Sequence, residues 1–314
     1  MIEISHLAKK YGGRYAVRDL SVRIEAGQIY GFLGPNGAGK STTMNIITGY
    51  LAPTSGEVKV DGFDIVKEPE QAKRKIGYLP ELPPLYQEMT VDEYLKFAAE
   101  LKKIPAQKRR ESIEKAVDIA QLADVRKRLI ANLSKGYKQR VGLAQAVLGD
   151  PEIIILDEPT VGLDPKQMIE MRELIRNLRE HHTVILSSHI LSEVSAVCDR
   201  ILIISKGELV ASDTPESLQE RMQGAGQLEI EVKGSAALLR TLLANLEGAE
   251  HYSVTTKENG IVAATVTEKA GCDVREALFF ALAEHRMPLL VLQKKTGSLE
   301  DIFLQLTEKA GEES

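Results

Sequence analysis

The run Gly34-Pro35-Asn36-Gly37-Ala38-Gly39-Lys40-Ser41 places glycines, a lysine and a hydroxyl at the spacing GxxxxGK[ST]. It follows the apolar stretch Ile29 to Leu33 and precedes a helical pattern from Ser41 to Thr48, so the strand, loop and helix that such a motif requires are all present. Glycines let successive backbone N–H groups close on a triphosphate, and the helix N-terminus adds a positive dipole. Lys40 brings a cation to the β- and γ-phosphates, and Ser41 offers a hydroxyl to magnesium. Gly34 through Thr42 are therefore the expected phosphate-binding residues, and a Gly-rich structural turn is the weaker reading.

A second run, Ile153-Ile154-Ile155-Leu156-Asp157-Glu158, is a continuous apolar strand that ends in two carboxylates. The charged pair must lie at the C-terminal edge of its sheet, where ligands of open α/β sheets bind. This is the Walker B pattern: Asp157 is expected to hold magnesium and Glu158 to orient and deprotonate an attacking water. Alone, an Asp-Glu after a strand reads as often as a cap of the next segment; the phosphate loop elsewhere in the chain weighs against that. Further on, Leu133-Ser134-Lys135-Gly136-Tyr137-Lys138-Gln139 puts a hydroxyl and a bare backbone at the start of the helical run Lys135 to Leu148. That is an anion site in chemistry, or simply a helix cap.

Together these motifs resemble an ATP-binding-cassette (ABC) nucleotide-binding subunit, with Leu133 to Gln139 in the place of the family signature and the likeness running from Met1 to Arg221. The resemblance implies a P-loop NTPase core of ABC type with ATP and Mg2+ as ligands. It implies a head-to-tail homodimer in which Ser134 and Gly136 of one subunit close over the γ-phosphate held by the other. It makes His189 the switch histidine on the γ-phosphate, where a lone histidine is otherwise structural. It makes Tyr11 the aromatic that stacks on adenine, although a tyrosine beside a Gly-Gly turn reads equally as a packed surface residue. Asp164, in Val161-Gly162-Leu163-Asp164, falls in the loop that crosses the dimer interface and is also a natural N-cap before Pro165.

The chain departs from the family in three places. Glu81, after Tyr78-Leu79-Pro80, stands where a glutamine usually touches magnesium; Lys135 replaces the first glycine of the signature, and Val161 a frequent serine. A carboxylate at Glu81 is still a magnesium ligand, but adds negative charge beside the γ-phosphate. The following Leu82-Pro83-Pro84-Leu85 suits a stiff docking loop and is equally an ordinary linker. The signature Leu133 to Tyr137, the run Asp157 to Pro165 and the closing run Gly297 to Thr307 together resemble those of export-type cassettes, gliding-motility-associated and multidrug-efflux ATPases among them. The likeness implies a separate membrane subunit of the ABC-2 type and a place on the inner face of the cell membrane.

The elements that must carry these residues alternate. Short β-branched runs at Ile2 to Ile4, Val22 to Ile24, Ile29 to Leu33 and Glu57 to Val60 read as strands, with a hairpin turn at Asp61-Gly62. From Val91 to Ala123 the spacing becomes helical, within a helical subdomain of about residues 82–150. Strand-like runs follow at Ile153 to Asp157, Thr183 to Ser187 and Ile201 to Ser205, separated by helices, which indicates a parallel sheet covered by helices. The fold class expected is α/β, with an ATPase domain at 1–222 and a small α+β domain at 227–310 beyond the Gly224-Ala225-Gly226 boundary. The second domain reads strand (Leu228 to Val232), helix (Ala236 to Leu246), hairpin (Tyr252 to Val266, turning at Asn259-Gly260), helix (Val274 to Ala283), strand (Leu289 to Gln293) and helix (Leu299 to Leu306), a split βαβ order.

Composition narrows the function. No apolar run approaches the roughly 20 residues of a membrane span, and Met1 to Lys10 lacks the zones of a secretory signal, so a cytosolic location is expected. Cys198 and Cys272 form no metal-spaced pair. A formal charge of -5 gives no general attraction to nucleic acid, and none is expected as a partner. The basic run Lys102 to Arg110 reads as a solvated helix end or, less readily, as a face toward anionic lipid. A soluble cassette ATPase acting on nucleic acid or the ribosome is the alternative, opposed by a span between Lys40 and Ser134 too short for long coiled-coil arms. The intact set Lys40, Asp157, Glu158 and His189 opposes a non-catalytic module, and the absence of an Asn-Lys-x-Asp motif opposes a small GTPase.

Overall fold

The structure, a computed structural model, describes residues 1–222, 227–257, 260–269 and 272–295. In chain order it begins with β1 (Ile2–Tyr11), β2 (Arg14–Ile24), β3 (Ile29–Leu33), α1 (Lys40–Ile47), β4 (Ser55–Val60), β5 (Phe63–Asp64), α2 (Pro69–Arg74) and β6 (Ile76–Leu79). The helices α3 (Val91–Leu101), α4 (Ala106–Ile119) and α5 (Lys135–Val147) follow. Next come β7 (Ile153–Asp157), α6 (Pro165–Leu178), β8 (Thr183–Ser188), α7 (Leu191–Ser195), β9 (Arg200–Ser205), β10 (Glu208–Asp213) and α8 (Pro215–Met222). The chain ends, among the described residues, with β11 (Gln227–Lys233), α9 (Ala236–Ala244), β12 (Ala249–Thr256), β13 (Ile261–Glu268), α10 (Arg275–Glu284) and β14 (Leu289–Lys295). Two compact units divide between Pro215 and Glu216, in the first turn of α8. The Gly224 to Gly226 stretch, Asn259 and the segment Leu299 to Leu306 lie outside the described residues.

The first unit holds two sheets. One is antiparallel in the order β2-β1-β4-β5; the other runs β10-β9-β3-β8-β7-β6, parallel except for the edge strand β10. Strands β3, β7 and β8 are buried along their whole length, as continuous Ile, Leu and Val runs require when both faces of a sheet are covered. Their core gathers Tyr30, Phe32, Ile153, Ile155, Ile185 and Leu202 with Met44, Ile46 and Ile47 of α1 and with Ile2, Leu7 and Leu20 of the antiparallel sheet. The Asp61-Gly62 turn between β4 and β5 has φ of 51° and 85°, the paired positive values of a type I′ hairpin.

Strands β1 and β2 extend well beyond the short runs expected from the sequence. Register shifts between Ile4, Leu7, Lys9 and Lys10 break the strict alternation, so exposed and buried positions lose their period of two. The helical stretch from Val91 divides into α3 and α4 at Pro105, and a Thr90–Glu93 capping box starts α3. Two residues of the basic run are tied into the fold. Lys102 Nζ donates to the carbonyls of Ala146 (3.0 Å) and Leu148 (2.9 Å) at the end of α5, and Arg109 pairs with Glu100 at 2.7 Å.

The second unit orders its antiparallel sheet β12-β13-β11-β14 with α9 and α10, a βαββαβ arrangement. Leu228, Ile230, Val232, Val262, Ala264 and Val266 form one buried face with Leu239, Leu243, Leu278 and Leu282 from the helices.

Gly31 in β3 lets α7 sit directly on the sheet: a Cβ there falls 2.1 Å from Val194 Cγ1 and 2.8 Å from Cys198 Sγ. Gly31→Val is expected to lower stability by about 1–3 kcal/mol through overpacking, read as a lower denaturant midpoint at unchanged slope.

Candidate active site

The phosphate loop, β7 and β8 converge at the C-terminal edge of the parallel sheet. A cavity of about 360 Å³ there is lined by Ala16, Asn36 through Thr42, Glu81, Glu158, Val161 and His189. Gly39 makes the turn into α1 at φ 107°, and a Cβ on it falls 2.4 Å from the Ala16 carbonyl, so the loop is built for a residue without a side chain. Lys40 is 6% exposed and its Nζ donates to the carbonyls of Gly34 (2.7 Å) and Pro35 (3.3 Å), with Glu158 Oε1 at 3.8 Å. Burial depresses the Lys40 pKa, against the opposing pull of Glu158 and Asp157.

Strand β7 ends in a reversal. Glu158 has φ 48°, a left-handed backbone uncommon for a side chain of this size, and its N–H donates to Ser187 Oγ at 2.9 Å. The same hydroxyl donates to Asp157 Oδ1 at 2.5 Å, so one serine of β8 holds both ends of the carboxylate pair. Asp157 stays behind the phosphate loop, where Ser41 Oγ donates to its Oδ1 at 3.5 Å. Glu158 points into the cavity, its Oε2 3.0 Å from His189 Nδ1. A carboxylate accepts, so Nδ1 carries the proton and Nε2 is left to face the cavity's contents. Desolvation by burial raises the Glu158 pKa, with His189 and Lys40 opposing the rise.

For magnesium, the fit rests on Ser41 and Asp157, a hydroxyl and a carboxylate within 3.5 Å of each other at the lysine end of the loop. No cluster of three or more His, Cys, Asp or Glu side chains suited to a metal occurs among the described residues. Such a sparse oxygen set suits an ion that keeps waters and takes its remaining ligands from substrate phosphates.

The remaining expected residues lie elsewhere. Tyr11 ends β1, is 50% exposed, and carries the Lys9 ammonium 5.4 Å above its ring; Ala16 of β2 lines the cavity and Tyr11 does not. Ser134 and Gly136 open α5 away from the cavity lining. Ser134 Oγ accepts the Tyr137 N–H at 3.3 Å, and the Gln167 side chain covers Gly136 closely enough that a Cβ there falls 2.7 Å from its Cδ. Asp164 caps α6 by accepting the Gln167 N–H at 2.9 Å. Lys135 reaches toward the loop after β7, where a Cβ on Gly162 falls 2.2 Å from its Nζ. A larger cleft, about 830 Å³, lies between α2, the α3–α4 junction and the end of α5 and carries none of the phosphate-loop residues.

Sequence reasoning missed Ser187, whose only signal is its place at the end of β8 in Ser187-Ser188-His189. It also missed Glu193, a buried acid in α7 that accepts from Thr160 Oγ1 at 2.6 Å and Ser188 Oγ at 3.2 Å.

A mainly parallel sheet whose central strands are fully buried, with a phosphate loop and a carboxylate pair at its C-terminal edge, defines a P-loop nucleoside triphosphatase. Residues 17–161 match the ABC transporter family. The linearmycin resistance ATP-binding protein of Bacillus subtilis (strain 168) is 34% identical over 309 residues, covering 98% of each chain. The bacitracin transport ATP-binding protein of Bacillus licheniformis is 33% identical, over 98% of this chain and 97% of that one. Among solved structures, an ATP-binding subunit of an ABC transporter superposes with a TM-score of 0.64 at 29% identity, covering 71% of this chain and 93% of that one. A dimeric bacterial ABC transporter cassette gives 0.62 at 28% identity, over 68% of this chain and 98% of that one. The chain belongs to the ATP-binding subunits of ABC transporters; it binds ATP and is an ATPase. No helix among the described residues is long and apolar enough to cross a membrane.

Because the hydrogen bond and charge of His189 hold the Glu158 pKa down against burial, His189→Ala is expected to move the Glu158 titration to higher pH. NMR of carboxyl-labelled glutamate follows that directly, and an unchanged or lowered midpoint contradicts the electrostatic account.

Proposed function

We propose that this chain powers an exporter built on a separate membrane subunit of the ABC-2 type, working as a homodimer at the cytoplasmic face of the membrane. The observation that carries the catalytic part is the meeting of Lys40, Glu158 and His189 on one cavity. Glu158 takes a proton from water, the water oxygen attacks the γ-phosphorus, and the bond to ADP breaks. His189 orients Glu158 through Nδ1, and reaches a γ-phosphate oxygen through Nε2 as the imidazolium, in which both ring nitrogens donate. Lys40 exchanges its own-loop carbonyls for the β- and γ-phosphates, and the backbone from Gly34 to Thr42 surrounds them. Ser41 and Asp157 would hold magnesium, with Glu81 on the cavity wall beside them; the ion, when bound, neutralises charge on the phosphate oxygens.

The dimer reading rests on where the remaining residues fall. Ser134 and Gly136 lie apart from their own chain's cavity, as residues acting on a second subunit's ATP must, and a solved relative is described as a dimeric cassette. Asp164 lies in the loop across that interface and Tyr11 flanks the adenine. Export is supported by relatives named for bacitracin transport, linearmycin resistance and, at 31% identity in Burkholderia orbicola (strain AU 1054), Nod factor export. The exposed tip at Leu82, beyond Glu81, offers a membrane subunit an apolar contact next to the γ-phosphate end of the site. The first unit is then the ATPase domain and the second an accessory domain.

Two substitutions test the reading. Glu158→Gln is expected to lower turnover by about 10²–10⁴ and to leave an ATP-bound dimer on size-exclusion chromatography, whereas Lys40→Ala loses ATP binding itself. Wild-type turnover in Glu158→Gln removes the assignment of the base.

A further inference from the structure

The two groups that face the γ-phosphate come from separate loops. Glu158 follows β7 and His189 follows β8, and the loops share no regular secondary structure beyond the strand ends. Their separation, 3.0 Å between Glu158 Oε2 and His189 Nδ1, is set by whatever ties the loops together. Ser187 supplies one tie at the base of the strands. A second lies on the far side. Glu193 is 7% exposed, and a single oxygen, Oε2, accepts from Thr160 Oγ1 at 2.6 Å and from Ser188 Oγ at 3.2 Å.

Thr160 stands two residues after Glu158, and Ser188 immediately precedes His189, with its hydroxyl also accepting the Ile190 N–H at 3.0 Å. Glu193 thus clasps both loops just outside the two residues that act. Its own place is fixed from below: the neighbouring Val194 is fully buried and packs into the space above Gly31 of β3. The Thr160 bond, at 2.6 Å, is as short as charge-assisted O–H···O⁻ bonds are, while the Ser188 bond at 3.2 Å is the longer of the two.

We infer that Glu193 is a positioning residue for ATP hydrolysis, holding Glu158 and His189 in register through Thr160 and Ser188. The inference rests on the roles given to Glu158 and His189 above. It concerns the chemical step and not nucleotide binding, because Glu193 is not among the residues that line the cavity and its side-chain hydrogen bonds go to Thr160 and Ser188.

The test is steady-state hydrolysis by the full chain, with ATP affinity measured separately by equilibrium binding. Glu193→Ala is expected to lower kcat by about 10- to 100-fold, the span left when a 1 Å misplacement disturbs a catalytic pair, while ATP affinity stays within about threefold. Glu193→Gln keeps an oxygen acceptor and is expected to recover most of the rate. In a His189→Ala background, adding Glu193→Ala is expected to cost less than about threefold, because the geometry it maintained has already lost its partner. A merely structural role gives the same loss in both backgrounds, and that result overturns the inference. So does a wild-type kcat in folded Glu193→Ala. If Glu193→Ala does not fold, Thr160→Val removes one donor and carries the test, with an unaltered kcat overturning the inference in the same way. Wild-type rates in both Glu158→Gln and His189→Ala overturn the underlying reading; impaired rates there beside a wild-type rate in Glu193→Ala overturn this inference alone.

Discussion

An ammonium group buried at the end of a sheet is the constraint around which the first unit is organised. Lys40 is almost wholly withdrawn from water, and burial of a cation is costly unless acceptors surround it. The carbonyls of Gly34 and Pro35 and the carboxylate of Glu158 provide them. Those acceptors exist at that point only because β3 and β7 end side by side with β8 between them. The loop, the acid pair and the histidine are consequences of strand order as much as of sequence motif.

The same strand order explains how the acidic half of the site is held. Two carboxylates side by side at a buried strand end repel each other, and the structure separates their directions. Asp157 faces the phosphate-loop hydroxyl of Ser41, while the left-handed turn at Glu158 sends the second carboxylate toward Lys40 and His189. A single hydroxyl of β8, Ser187 Oγ, meets both the Glu158 N–H and the Asp157 carboxylate at this reversal. The strain of a positive φ at Glu158 is tolerated because both neighbouring peptides are tied down.

Where the sequence spoke through chemistry it was easy to read. The glycine spacing around Lys40, the apolar run before Asp157 and the period-two strands of the second unit each admit few physical interpretations, and the chain folds accordingly. What escaped notice depends on distance in space without a local pattern. Strand β6 is four residues long and holds a glycine, and β10 lies at a sheet edge with mixed exposure. Glu193 carries no signal until Thr160 and Ser188 are brought beside it. Tyr11, which reads equally as a stacking aromatic and as a surface residue, lies exposed at a strand end and outside the cavity wall. Lys102 reads as surface charge and turns out to be spent on two helix-end carbonyls.

That last contact has a mechanical meaning. Helix α5 is clamped at one end by the Ser134 cap and at the other by the Lys102 ammonium on Ala146 and Leu148. Both ends are tied by side chains, which opposes fraying of the terminal turns. At 1.5 Å per residue the helix is about 20 Å long, and pivoting it by about 5° at the Leu148 end sweeps the Ser134 end through nearly 2 Å, roughly the difference between a hydrogen bond made and one lost. The α3–α4 junction and the start of the signature helix are thereby two ends of one lever.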